Sequence, residues 1–427
     1  MIALRTVRPL ILGSSLVLLA LQAPPVAAAA GDLDGSFGSG GTKTTNWGGA
    51  SDVAFDVLIQ PEGMIVVAGQ TDVGGNYDLA VARYRPGGAV DGGFSGDGRV
   101  RTAVGSANDY GRAVALQDDG KLVVAGEVYR GAADGYDFGV VRYTRRGKLD
   151  GTFGGDGKVL TTFSAGADSA EDVVVQPDGR IVVAGYVGNP GATEDFGVAR
   201  YKPNGSLDTS FGGDGKVRVD FNSSIDGAFA LTLQPDGRIV VAGSVGLGDG
   251  KFGVIRLLPS GRLDGKFSGD GRAHTDISTG ADSGYGVAVQ DDGRIVLVGN
   301  VGDLDFGVVR FTRAGKLDDT FSGDGKRRID FNAGLDQADA VAIQPNGKIV
   351  VVGKARIGAD DDFAVARLTS RGGLDDAFAG DGTATTVVGG ADDFAHAVAL
   401  AKNGKIVLAG SATVLGELDF ALARFLG

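Results

Sequence analysis

The sequence predicts an all-β fold: a seven-bladed β-propeller of four-stranded antiparallel blades, closed by its N-terminal strand. Three observations lead there. First, one string recurs along the chain, most clearly as LDGTFGGDGKVLTTF from Leu149, EDVVVQPDGRIVVAG from Glu171 and EDFGVARY from Glu194. The glycine closing its middle part falls at Gly69, Gly126, Gly185, Gly243, Gly299, Gly353 and Gly410, at spacings of 57, 59, 58, 56, 54 and 57 residues. A near-fixed period of this size marks a repeat architecture. Second, each copy holds four short runs rich in Val, Ile, Phe and Tyr, bounded by Gly, Pro, Asn and Asp, as strands are. Third, the ends are complementary. The chain opens on the tail of a repeat, Leu33 to Gly38 and then Thr42 to Asn46, and closes on a third run, Asp419 to Phe425, with no fourth. The first strand is expected to complete the seventh blade and remove its open edge.

In the third copy the strands read as Asp172 to Gln176, Arg180 to Ala184, Asp195 to Tyr201 and Lys216 to Phe221. The turn Pro177-Asp178-Gly179 joins the first two, its glycine supplying the positive φ of a tight turn. Bulky residues of the first strand sit two apart, as at Val114 and Leu116 or Val287 and Val289, with Ala115 or Ala288 between. Period-two alternation sends bulky and small residues to opposite faces. That suits a strand crowded beside a central axis, and blades set radially around a channel supply such an axis. A linear β-solenoid competes, but its rungs are usually shorter than these units.

The third strand of every copy carries an arginine and every Leu-Asp or Val-Asp turn an aspartate. In six copies they lie eight residues apart, as with Arg142 and Asp150 or Arg200 and Asp208. Arg424 has no aspartate after it, and Asp34 has no arginine before it. Each arginine is expected to meet its aspartate, Arg424 pairing with Asp34 across the closure. If both groups instead face solvent, the pairs add little.

Composition narrows the function. Residues 1–30 read as a signal peptide, with Arg5 and Arg8 ahead of an apolar stretch from Leu10 to Leu21 and small Ala28 to Ala30 at a cleavage position. The stretch is short for a spanning helix. Residues 31–427 then form a single propeller domain, exported to the periplasm, the cell surface or the medium. The 427 residues carry a formal net charge of −12, to which residues 1–30 contribute only the two arginines. So acidic a chain repels nucleic acid and anionic lipid and favours cations or basic partners. With no cysteine in the sequence, disulfides, thiolate metal sites and a cysteine nucleophile are excluded.

The strings resemble the delta-60 repeat family of bacterial exported, β-propeller-like proteins. The matching motifs are QPDGRIVVAG at Gln176 and Gln234, QPNGKIVVVG at Gln344, DFGVARY at Asp195 and LDTSFGGDGK at Leu207, and the likeness runs from Leu33 to Gly427. Lys251 in the fourth copy, Ala401-Lys402 in the seventh and Ser39-Gly40-Gly41 in the first depart from the pattern at single turns. The resemblance implies fold and export. It carries no set of catalytic residues.

Chemistry-bearing motifs are few. His274 and His396 lie in different copies without counterparts and read as ordinary surface or strand histidines, and two histidines without cysteine make a zinc site improbable. Carboxylates recur. Asp52, Asp109, Asp168, Asp226, Asp282, Asp336 and Asp393 each stand five residues before the first bulky residue of an inner strand. They read either as a cation-binding ring at one channel mouth, suited to calcium, or as local ties within their own turns. Sevenfold recurrence favours the local role. Asp78, Asp137, Asp195, Asp305, Asp362 and Asp419 open the third strands on the same face. The hairpin cations Lys121, Arg180, Arg238, Arg294, Lys348 and Lys405 belong at the other. The Gly-Asp-Gly-Lys turns lack the alternating acids of a calcium loop.

The expected function is therefore a non-catalytic binding or scaffold propeller at or beyond the cell envelope. It needs no cofactor, calcium apart, and is monomeric, with a protein, glycan or cation met at the acidic face. A glycan hydrolase or lyase using two channel-mouth carboxylates is the rival, and a purely structural surface protein the third class. An enzyme should gather copy-specific polar residues in one pocket, whereas the repeats read as uniform.

Overall fold

The computed structural model describes residues 28–131, 135–164, 166–188, 194–221, 225–246, 250–302, 305–332 and 334–427. The stretch read as a signal peptide lies outside them up to residue 27. Seven four-stranded antiparallel sheets form the blades. Blade 3 runs outward through Asp168–Val175, Ile181–Gly188, Glu194–Tyr201 and Lys216–Val219. Blade 7 takes Asp393–Leu400, Ile406–Val414 and Glu417–Phe425 from the end of the chain and Thr42–Thr45 from its start. That outer strand pairs antiparallel from Thr42 opposite Ala423 to Thr45 opposite Phe420. Every inner strand touches the inner strands of both neighbouring blades, the seventh touching the first. The units therefore close into a ring, not a solenoid. No helix among the described residues is long and apolar enough to cross a membrane.

The inner strand is longer than its alternation suggests, beginning at Asp168 and not Asp172 in blade 3. A β-bulge is the reason. Pairing with the second strand jumps from Ala170 opposite Gly185 to Asp172 opposite Ala184, leaving Glu171 unpaired. The extra residue resets the period-two pattern, so the sequence before it does not read as the same strand. All seven inner strands carry the bulge at this place.

Alternation beyond the bulge governs the packing. Ala113 and Ala115 of blade 2 meet Val173 and Val175 of blade 3. Inner-strand residues past the bulge thus alternate between the two neighbours, Val114 and Leu116 of blade 2 joining the core shared with blade 1. The core is divided into seven clusters, each shared by two neighbouring blades, the last joining blade 7 to blade 1. A fully buried Val or Leu contributes roughly 1.5–3 kcal/mol. Blades held apart would lose that burial on both faces, so the ring is the folding unit.

Hairpins and Leu-Asp turns share one face, and arginines lace it together. The carboxylates of Asp34, Asp91, Asp150, Asp208, Asp264, Asp318 and Asp375 lie 2.6–2.9 Å from the guanidinium groups of Arg424, Arg83, Arg142, Arg200, Arg256, Arg310 and Arg367. Each guanidinium also rests 4.6–4.8 Å from the ring centroid of its own turn's phenylalanine. From there Arg83 and Arg256 donate to the Arg145 and Arg313 carbonyls of the next blade at 2.8 and 2.6 Å, and Arg424 of blade 7 donates to Pro86 of blade 1. The hairpin cations lie on this face too: Lys121, Arg180, Arg238, Arg294, Lys348 and Lys405 approach the same turn aspartates at 2.6–3.4 Å. Burial alone would raise the Asp34 carboxyl, but hydrogen bonds from Lys405, Ser36 and Arg424 hold it well below the usual carboxylate range.

Candidate functional site

The repeated glycine and the bulge are one device. A Cβ placed on Gly69, Gly126, Gly185, Gly243, Gly299, Gly353 or Gly410 would stand 1.7–2.0 Å from a backbone carbonyl oxygen of the facing inner strand. In blade 3 that oxygen belongs to Ser169. Only glycine leaves room for the inner strand to buckle here. The buckle re-aims one side chain per blade beside the axis, as bulges near functional sites do.

Those seven side chains are Phe55, Arg112, Glu171, Phe229, Tyr285, Asp339 and His396. Around them the framework barely changes, with an aspartate three residues before each and alanine or glycine one before. All seven are half-buried. Five of the seven neighbouring pairs are in contact around the axis. Arg112 lies 4.5 Å from the Phe55 ring centroid, and its Nε is 3.9 Å from Glu171. Phe229 and Tyr285 are 5.3 Å apart. Asp339 Oδ2 is 3.0 Å from His396 Nδ1, and the His396 ring lies 5.4 Å from Phe55, which closes the circle.

The residue after each repeated glycine varies too, as Gln70, Glu127, Tyr186, Ser244, Asn300, Lys354 and Ser411. Arg112 Nε donates to Glu127 at 3.1 Å. Tyr186 stands 6.3 Å from Phe229 of the next blade. Lys354 lies 4.6 Å from the Phe394 ring centroid. Tyr110 adds contacts to Tyr77 at 5.6 Å and Tyr136 at 6.0 Å. The mouth is therefore rich in aromatic rings and mixed charges, and differs in every blade.

Sequence reasoning passed over this ring. It set His396 aside for want of a motif, yet Asp339 sits 57 residues away in the preceding blade. His274 lies on the outer strand of blade 4, edge-on to Phe221 at 6.4 Å. The readable signal was a column of seven copies with six residue types, lying three residues after an invariant aspartate and directly after an alanine or glycine.

The seven inner-strand aspartates are buried. One oxygen of each accepts the backbone N–H of the residue five positions earlier at 2.5–2.8 Å, from Trp47 to Asp52 through Val388 to Asp393. Many reach further: Thr71 donates its hydroxyl to Asp52 at 2.6 Å, and the Gly302 N–H donates to Asp282 at 3.0 Å. Burial pushes the Asp109 and Asp168 carboxyls up, and their other neighbours include Asp78 and Asp137, on the third strand of the preceding blade. These carboxylates are thus grouped at the seams between neighbouring blades. Asp195, Asp220 and Asp226, and likewise Asp305, Asp330 and Asp336, bring one oxygen each within 4.8 Å of one another. In both groups an arginine, Arg218 or Arg328, already hydrogen-bonds the third-strand aspartate.

Two further carboxyls follow the bulge. Asp56 Oδ2 accepts the Val114 N–H of blade 2 at 2.7 Å, and Asp172 Oδ2 the Leu231 N–H of blade 4 at 2.6 Å. Burial pushes Asp56 up to about 7, and burial together with Asp56 pushes Asp172 up to about 8. Folding therefore favours their protonated forms. Between the ordinary carboxylate range near pH 4 and these raised values the folded state holds more protons, so their contribution to stability falls as pH rises. Asp56→Asn with Asp172→Asn is expected to gain melting temperature at pH 8 relative to the parent and little at pH 4. Equal gains at both would mean that the two carboxyls do not titrate as described.

A family model described as a domain of unknown function (DUF5122) β-propeller matches residues 60–94, 117–153, 176–211, 234–267, 290–321, 344–378 and 401–426. No curated protein matches the chain in sequence. Among solved structures, a catalytically inactive virginiamycin B lyase from Staphylococcus aureus with quinupristin superposes at a TM-score of 0.54. Identity is 13%, over 90% of this chain and 98% of that one. Sqt1 from Chaetomium thermophilum superposes at 0.49, with 12% identity over 89% and 96% of the two chains. At such identities the likeness speaks for the fold alone.

Proposed function

The chain belongs to the DUF5122 β-propeller family, and on that premise we propose that it is a non-catalytic binding propeller that takes its ligand at the channel mouth. The observation that carries this reading is that one recurring bulge, set after an invariant aspartate, presents seven side chains of six kinds. A purely structural ring has no use for that variety, whereas recognition resides in variable side chains on a rigid scaffold. Export completes the proposal. It rests on the basic, apolar and small-residue order of residues 1–30. The motifs shared with delta-60 repeats accord with it.

One observation favours a second, catalytic reading. Copy-specific polar groups do converge, and Asp339 orients the His396 imidazole through Nδ1, as a carboxylate orients a general base.

Binding arrays of glycans and peptides probed with the protein test the first reading. A ligand found there is expected to lose at least about tenfold in affinity with Phe229→Ala or Tyr285→Ala, and little with Arg294→Ala on the hairpin face. The opposite pattern would move the site off the mouth. Turnover of a bound glycan or peptide, abolished by His396→Ala, would replace binding with catalysis.

A further inference from the structure

The rings at the mouth are not equally occupied. Arg112 lies over Phe55 and Tyr110, at 4.5 and 5.2 Å from their centroids, and Lys354 over Phe394 at 4.6 Å. Among the described residues no lysine or arginine lies over Tyr186, Phe229 or Tyr285. These three form a continuous arc across blades 3 to 5. Tyr186 and Phe229 are 6.3 Å apart and Phe229 and Tyr285 5.3 Å apart, with ring planes near 60° in both pairs. Rings so inclined make the walls of a cage, not a stack. Glu171 stands at one end of the arc and Asp339 at the other. The mouth's own cation on this side, Arg112, hydrogen-bonds Glu127 at 3.1 Å, lies 3.9 Å from Glu171 and sits over none of the three rings.

We infer that the Tyr186–Phe229–Tyr285 arc is a site for an alkylammonium group, held over the aromatic faces between Glu171 and Asp339. The inference rests on the reading of the mouth as the binding site. A ring quadrupole attracts a cation, and three rings with flanking carboxylates do so where a neutral group gains only apolar contact. Arg112 and Lys354 show the same attraction within the protein itself. Burial, and after it the charges of Glu127 and Glu171, pushes the Tyr186 hydroxyl up to about 12. All three rings are half-buried and so reachable from the channel. The ammonium has two possible sources, a small quaternary amine or a lysine side chain of a protein partner.

Calorimetric titration of the protein with choline, Nα-acetyl-lysine amide and the neutral isostere 3,3-dimethylbutanol separates the cases. At least one cation is expected to bind saturably, with a dissociation constant on the order of millimolar, and the isostere about tenfold more weakly. Preference for choline points to the small amine, and preference for the lysine amide to a protein tail. Phe229→Leu and Tyr285→Leu keep apolar bulk but remove the π face, and each is expected to weaken the cation about three- to tenfold. Tyr285→Phe keeps the face and is expected to stay within about twofold. Equal binding of the isostere, or unchanged affinity in both leucine variants, overturns the inference. Array ligands lost in the ring variants, with no cation binding by the parent, would overturn it while leaving the mouth as the recognition site.

Discussion

Gly185→Ala is expected to destabilise the protein by about 3 kcal/mol or more, and to disturb the mouth as well. The added Cβ would stand 1.8 Å from the Ser169 carbonyl oxygen, closer than non-bonded atoms can sit. The oxygen belongs to backbone, so no flexible side chain can yield. Relief requires the inner strand to move away from the second, which undoes the bulge that carries Glu171. Gly185 does not adopt positive φ, so the effect is one of space and not of left-handed backbone. Gly87→Ala is the control, because a Cβ there meets nothing within 4 Å, and a change within about 0.5 kcal/mol is expected. Denaturant unfolding measures both. A Gly185→Ala protein as stable as the parent would mean that the inner strand yields freely at the bulge.

That glycine shows how far sequence carries. Its period was legible, and with it the blade count, the four strands and the incomplete ends. Its cause was not, because the clash that demands glycine lies in a neighbouring strand and depends on the bulge. The bulge also hid the inner strand's true start, since an extra residue breaks the alternation by which strands are recognised. Phe55, Arg112, Glu171, Phe229, Tyr285 and Asp339 drew no notice individually and His396 was set aside, the seven having no shared chemistry. Only the ring makes them neighbours. The Arg-Asp spacing was legible for the opposite reason, being local in six copies. Its further bond to the next blade's carbonyl requires the closed ring. The inner-strand aspartates stood out by repetition, and one oxygen of each accepts a backbone N–H from the loop just before it.

Asp34→Ala is expected to cost about 3–5 kcal/mol, the range for removing one partner from a buried ion pair. Arg424 is 8% exposed and would keep its charge without its carboxylate. Lys405, 2.6 Å from the same group, would lose its partner too. Asp208→Ala in blade 3 removes the same chemistry, a carboxylate 2.9 Å from both Arg200 and Arg180. The difference is connectivity. Arg200 and Asp208 are 8 residues apart, whereas Arg424 and Asp34 are 390 apart and hold the ring shut. Loss at Asp34 should therefore loosen Thr42–Thr45 from Glu417–Phe425 and bare a strand edge prone to self-association. Hydrogen exchange is expected to quicken in both strands in Asp34→Ala and to leave them protected in Asp208→Ala. The pH dependence has a definite sign. A depressed carboxyl lends stability above its unfolded value and loses it as pH falls through the folded one, so parent and variant should converge only below about pH 4. Equal protection of Thr42–Thr45 in the two variants would show that strand pairing alone closes the ring and that the ion pair adds nothing special there.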